Sequence, residues 1–199
     1  MKNLDLKKIV KIILLVSIVL CVIAQIIPWG EISVGPIGSV HFFHWGGLLV
    51  SAPNEDPPIL QLHFIIDFGK NVSSAAPGSL EKYGFSFGTL FLFFIPPLSI
   101  LSMLLGIIAY RTPSKKRSKN CLQASIAGFI SIISFILFIQ LTILAWLEEL
   151  SSLFHWHYGF YLMICSSILF LISFFILKRL PLIEKDIDVS DKKLTQKTK

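Results

Sequence analysis

Charged residues are scarce in this chain and are almost absent from its long apolar runs. Only 15% of the 199 residues are charged, whereas 54% are hydrophobic, a balance outside the range of an ordinary soluble domain. Inside the runs the single charged residue is Lys11, close enough to one end to reach lipid headgroups. Proton-coupled carriers, voltage sensors and most ion pathways need ionisable groups inside the membrane. The composition therefore argues against these classes.

Cysteine is rare as well. Cys21, Cys121 and Cys165 all fall within or at the end of apolar runs, and none belongs to a Cys-x-x-Cys pair. A membrane thiol oxidoreductase needs a reactive pair at the outer surface, and a disulfide framework needs cysteines in the outer segments. Both are excluded, and we interpret the cysteines as small apolar packing residues. We expect no enzymatic activity.

Long apolar runs are what the sequence has in abundance. Each reaches the roughly 20 residues that a helix needs to cross about 30 Å of hydrocarbon. The runs extend over Ile9 to Ile27, Phe87 to Tyr110, Cys121 to Trp146 and Tyr158 to Leu177. The sequence predicts an all-α transmembrane protein, a four-helix bundle, with a small antiparallel β-sheet in the first extracellular loop.

The positions of the basic residues predict the orientation. Of the 18 Lys and Arg residues, only Lys70 and Lys82 fall in residues 28–86 or 147–157, the two predicted extracellular loops. The remainder fall at or near residues 1–8, in residues 111–120 and in residues 178–199, which are therefore predicted to be cytoplasmic. We predict a multi-pass cell-membrane protein with both termini inside.

The tail, residues 178–199, mixes both charge signs and lacks apolar periodicity, so we expect it to be largely disordered. The positive charge is accounted for by topology, and no nucleic-acid-binding motif accompanies it. The lipid bilayer is thus an expected partner, and nucleic acid is not.

The first outer segment, residues 28–86, carries strand and turn patterns. Apolar and polar residues alternate from Ile59 to Phe68, and shorter β-rich stretches run from Trp29 to Val34 and from Ser39 to Trp45. Stretches rich in Gly and Pro separate them. We expect three or four antiparallel strands over the bundle. The predicted helix-facing residues are Trp29, Trp45, Leu60, Leu62, Phe64 and Ile66, with Gln61, His63 and Asp67 facing outward.

A family resemblance rests on this plan and on a few residues. Pro28-Trp29 follows the first helix, and Trp45-Gly46-Gly47-Leu48 is similar to the W-x-G-L part of a W-x-G-L-W-C-C motif. Together with four helices and a long first loop, these residues resemble the claudin and peripheral myelin protein 22 group. The chain departs from the motif at Leu49, where the motif has tryptophan, and no outer cysteine follows.

The resemblance implies adhesion, barrier formation or association with a membrane partner through the outer loops. The residues expected to contact a partner are Trp29, Trp45, Gly47, Leu48, Glu55, Asp56, His63 and Asp67. Small residues at four-residue spacing allow close helix packing, within one chain or between copies of it. These pairs are Gly84 and Gly88, Ser102 and Gly106, and Ala124 and Gly128.

A metal site is the alternative hypothesis. All five histidines fall in the predicted outer segments: His41, His44, His63, His155 and His157. Imidazole suits zinc or copper, and Glu148, Glu149 or Asp67 could complete a shell, although no established metal motif matches. On this hypothesis the protein is a metal-binding accessory subunit of a larger membrane enzyme or transporter; on the first, no cofactor is expected.

Overall fold

Four long helices form the bundle. The computed structural model describes residues 2–33, 38–45, 47–52, 59–64, 80–112, 114–144 and 154–197. Helix α1 is Lys2–Ile26, α2 is Leu80–Arg111, α3 is Ser114–Phe138 and α4 is Tyr158–Lys197. Helix α3 continues as π-helical turns over Ile139–Leu144. Each helix contains one of the four predicted apolar runs, or most of it.

The helices extend beyond those runs, because helix formation does not stop at the membrane boundary. Helix α2 begins seven residues before Phe87, and α3 takes in most of the basic stretch 111–120. Helix α4 continues to Lys197, through the tail for which mixed charge predicts disorder. The sequence there places Asp188 four residues before Lys192, the order of charges that supports a helix.

Arg117 joins α2 to α3. Its guanidinium is buried, and Nε donates to the carbonyl oxygens of Ala109 and Thr112, each at 3.0 Å. The last carbonyls of a helix have no partner within it, and a basic side chain nearby can satisfy them. Part of the predicted basic loop is therefore a helix cap.

All four helices are long and apolar enough to cross a membrane. The candidate spans are Leu6–Ile26, Phe93–Arg111, Lys116–Leu141 and Tyr158–Arg179. Large apolar side chains on their outer surfaces are exposed, with Ile26 at 70% and Phe93 at 63%. A surface of this kind suits lipid and would be a liability in water. The architecture is compatible with an integral membrane protein.

Serine hydroxyls join the helices at close range. Ser102 donates to the Ala124 carbonyl at 2.7 Å, Ser166 donates to the Ser17 carbonyl at 2.8 Å, and Ser125 donates to the Ser167 carbonyl at 2.9 Å. Such bonds commonly hold membrane helices together. The small residues Ser102, Gly106, Ala124 and Gly128 are buried, and the two glycines lie against side chains of neighbouring helices in the same chain.

An antiparallel sheet covers one end of the bundle. Its strands are β1 (Gly30–Ser33), β2 (Ser39–Phe42), β3 (Gly47–Ala52), β4 (Ile59–Phe64) and β5 (Phe154–Trp156), in the order β4-β3-β2-β1-β5. The first segment supplies four strands, within the predicted three or four, although no predicted strand covers Gly47–Ala52. The fifth comes from residues 147–157, for which the sequence predicts only a short loop.

The register of the sheet differs from the prediction for Leu60, Leu62 and Phe64. Leu62 pairs with Leu49, Leu49 with His41, and His41 with Glu31. Residues directly opposite each other share a face. The register thus places this apolar row on the face of Glu31, and Gln61 and His63 on the face of Ile32, opposite to expectation.

The alternation of Ile59 to Phe68 defines two faces but does not say which one meets the helices; the cross-strand register decides that. The side chains of this strand lie outside the part of the chain that the structure describes. Ile66 and Asp67 lie entirely outside the described residues.

A layer of aromatic side chains packs the sheet against the helices, and no disulfide joins them, since all three cysteines are free. Trp29 is fully buried at its centre, with ring centroids 5.2 Å from Phe135 and 6.3 Å from Phe160. Trp156 stacks on Phe160 at 4.3 Å. Trp29 also donates from Nε1 to the Ala24 carbonyl at 2.7 Å, which satisfies its polar atom in the core. The predicted burial of Trp29 is confirmed, whereas Trp45 is half-buried and stacks on Phe43.

Candidate metal centre

Strand β1 lies between β2 and β5, so Glu31 has a neighbour on each side. In the register His41 of β2 and His155 of β5 are both directly opposite Glu31. His157 follows β5 and extends the pairing, since its backbone N–H donates to the Trp29 carbonyl at 3.0 Å. The strand order therefore gathers residues from both outer segments around one carboxylate.

Three of these side chains point at one another. Glu31 Oε2 is 3.7 Å from His41 Nδ1 and 3.9 Å from His157 Nε2. One donor atom from each of the three lies within 4.8 Å of those of the other two. We call Glu31, His41 and His157 the trio. Each is about a quarter exposed, so the trio opens to solvent from one side.

The hydrogen bonding of His41 leaves one of its nitrogens available. Ser39 Oγ lies 3.2 Å from His41 Nε2. When Nε2 carries the proton and donates to Ser39 Oγ, Nδ1 holds a lone pair on the side of Glu31. Nδ1 is buried and has no hydrogen-bond partner, and the same is true of Nδ1 of His157. A second-shell hydrogen bond that fixes the tautomer is a usual feature of metal-binding histidines.

The trio fits a small transition-metal ion. Separations of 3.7 and 3.9 Å exceed a hydrogen bond, so hydrogen bonds among the three side chains do not explain the convergence. Bonds of about 2.0–2.2 Å around a tetrahedral zinc place adjacent ligand atoms about 3.4 Å apart. The two glutamate–histidine separations exceed that value by a few tenths of an ångström, and the separation between the histidine donor atoms, within 4.8 Å, exceeds it by up to about 1.4 Å. Side-chain rotation toward the centre of the trio would close these distances around an ion. Two imidazoles with one carboxylate suit zinc or copper better than calcium or magnesium, which prefer oxygen.

His44 lies away from the trio, in the core. It is 3% exposed and stacks on Trp29 with ring centroids 5.3 Å apart. Desolvation by burial lowers the pKa of His44 to about 4, so it is neutral at physiological pH. Its Nδ1 has no hydrogen-bond partner. The alternative hypothesis counted His44 among the metal ligands; the structure places it in a packing role.

The other predicted metal ligands divide into two groups. His155 is exposed and sits in register with Glu31. His63 is on β4, where its backbone pairs with Leu48 of β3, and two strands, β3 and β2, lie between β4 and β1. Its side chain lies outside the described part of the chain, as do the three acidic candidates Glu148, Glu149 and Asp67.

The residues predicted to contact a partner do not form one surface among the described positions. Trp29 is fully buried, and Gly47 is buried against the Trp45 ring. Leu48 is placed by its backbone in β3. The loop acids Glu55 and Asp56 lie outside the described residues.

Glu31 is the site residue that sequence reasoning missed. Glu31 belongs neither to the predicted partner-contacting residues nor to the predicted metal ligands. The available signal is its position in Gly-Glu-Ile-Ser, a polar residue in a short alternating stretch, together with the alternation of aromatic residues and histidine from Phe154 to His157. Neither stretch reveals that the two strands are neighbours.

Comparison with known proteins adds no family. No protein-family model matches the chain, and no curated protein matches it. The resemblance to claudins stays a prediction, and the function has to be argued from the site.

Proposed function

We propose that this chain is a non-enzymatic multi-pass membrane protein that binds a transition-metal ion, zinc or copper, in the sheet on its extracellular side. The observation that carries the proposal is the trio. Two imidazoles and a carboxylate from separate elements converge with their donor atoms within 4.8 Å.

Three further features support it. Nδ1 of His41, the atom that faces Glu31, is buried without a hydrogen-bond partner, which is costly in a merely structural cluster. The sheet is seated on the helices by the aromatic layer, so the trio stands on a rigid base, as a preorganised site requires. The four apolar runs contain no charged residue except Lys11, so ionisable side chains are confined to the two ends of the bundle. The role expected of such a protein is that of a metal-binding subunit in a larger membrane assembly.

Association with a partner through the first outer segment remains the second candidate. It rests on the claudin resemblance, and two of its residues, Trp29 and Gly47, are already engaged inside the chain. For that reason we rank metal binding first.

The test is metal content after purification. The full-length chain is isolated in mild detergent without a polyhistidine tag and analysed by elemental analysis beside a His41→Ala, His157→Ala double variant. The expected result is close to one zinc or copper per chain, removed by a chelator and absent from the double variant. A His44→Phe variant is the matched control and should keep its metal. Equal metal in the wild type and the double variant would overturn the proposal. Co-purifying proteins in the same preparation show whether the chain belongs to an assembly.

A further inference from the structure

His155 is in the right place to join the trio. It is directly opposite Glu31 in the pairing of β1 with β5, as His41 is in the pairing of β1 with β2. Directly opposed residues of an antiparallel pair have Cβ atoms about 4.5–5.5 Å apart on the same face. Glu31 thus stands in a row with one histidine on each side, and His157 lies two residues beyond His155.

The two histidines differ in how they are held. His157 is three-quarters buried and its ring lies against His41, with centroids 5.9 Å apart. His155 is exposed, so its side chain can change rotamer without displacing packed neighbours. Turning it toward Glu31, which lies directly opposite, therefore displaces no buried neighbour.

We infer that His155 is the fourth ligand of the metal site and turns onto the ion when it binds, an inference that rests on the proposed function. The result is a closed four-coordinate site of three imidazoles and one carboxylate. Structural zinc sites take this closed form, whereas catalytic ones keep a position open for water.

The closed site has a consequence for the fold. Glu31 and His41 belong to the first outer segment, while His155 and His157 belong to the second. The ion therefore links the two segments across the β1–β5 pairing, which is only three residues long. Neither outer segment contains a cysteine, so a disulfide cannot join them. In this chain a bound metal ion would provide that cross-link.

Cobalt titration of the full-length chain in detergent tests the inference. Co²⁺ in a four-coordinate site absorbs visible light far more strongly than in a five- or six-coordinate one. The wild type is compared with His155→Ala and His157→Ala, and His44→Phe serves as the control. Competition with a chromophoric chelator gives the Zn²⁺ affinity of each of the four proteins. A metal-free unfolding curve verifies that His155→Ala is folded, as expected for an exposed residue.

We expect the wild type and the control to bind one Co²⁺ with the strong four-coordinate spectrum. His155→Ala should still bind one ion but with a changed spectrum, because water replaces the imidazole, and with an affinity lower by about 100-fold, the upper end of the range for losing a second-shell partner. If His155→Ala matches the wild type in spectrum and affinity while His157→Ala loses both, His155 is not a ligand and the three-residue site stands. If the wild type binds no Co²⁺ or Zn²⁺, the proposed function fails as well.

Discussion

At the scale of single residues, burial decides what each histidine can do. His44 is enclosed beside Trp29 and stays neutral, His41 and His157 are partly buried around a carboxylate, and His155 is exposed. Sequence alone predicts that all of them lie on the same side of the membrane, because the apolar runs determine which segments are outside. It cannot separate their roles, because burial depends on contacts between distant segments.

The burial of His44 predicts a pH effect on stability. The unfolded chain binds a proton at this residue near pH 6.5, whereas the folded chain binds it only near pH 4. As pH falls between these values the unfolded state gains a proton that the folded state does not, so the free energy of unfolding decreases, by about 3 kcal/mol in total. Above pH 6.5 the residue contributes no pH dependence.

His44→Phe keeps a ring against Trp29 and removes the titrating group. Chemical unfolding in detergent, followed at several pH values between 4 and 7, should give this variant a shallower loss of stability than the wild type. The comparison is made on metal-free protein, so that the trio contributes equally to both. Parallel curves for the two proteins would show that His44 is not the buried neutral group described here.

At the scale of elements, the sequence was informative about each element and silent about how elements pair. Run length predicts the helices, and alternation predicts β4, because both signals are local. The trio depends on β5 lying beside β1, a pairing of residues more than 120 positions apart in the chain. A pairing between such distant residues leaves no local mark in a single sequence.

The junction between β5 and α4 is the element on which the site depends most. Gly159 N donates to the Pro28 carbonyl at 3.1 Å. A Cβ on Gly159 would lie 2.6 Å from the same carbonyl oxygen and closer still to that of Ile27. These are backbone atoms at the end of α1, so they cannot move aside as a flexible side chain would. The start of α4 is held against the end of α1 only because residue 159 is glycine.

Gly159→Ala should therefore destabilise the protein by about 1–3 kcal/mol, the range for overpacking. Because His157 is two residues away, the variant should also bind metal more weakly. Ile168→Ala, at an exposed position of the same helix, is the control and should change neither quantity. Unfolding and Zn²⁺ competition measure the two effects. If Gly159→Ala has the same free energy of unfolding and the same Zn²⁺ affinity as the wild type, the junction accommodates a Cβ and its packing is not as close as described.

At the scale of the whole molecule, charge and apolarity set the arrangement. The four apolar helices predict a bundle within the bilayer, and the basic residues predict which end faces the cytoplasm. Both properties are sums over many residues, so they can be predicted from sequence even though individual contacts cannot.

The orientation makes a direct prediction. A tag placed after Lys199 should be inaccessible to an antibody in intact cells, whereas a tag inserted between Glu55 and Asp56 should be accessible. Permeabilised cells are the control, in which both tags should be labelled. Labelling of the C-terminal tag in intact cells would place the trio on the cytoplasmic side and change the metal pool available to it.

Zn²⁺ titration of the metal-free, full-length chain measures metal binding by the trio directly. The wild type is compared with a Glu31→Gln, His41→Ala, His157→Ala variant in the same lipid nanodiscs, with a chromophoric chelator as competitor. Metal binding by the trio requires one tight site per chain in the wild type and none in the variant. Binding of the same stoichiometry and affinity by both proteins would contradict it.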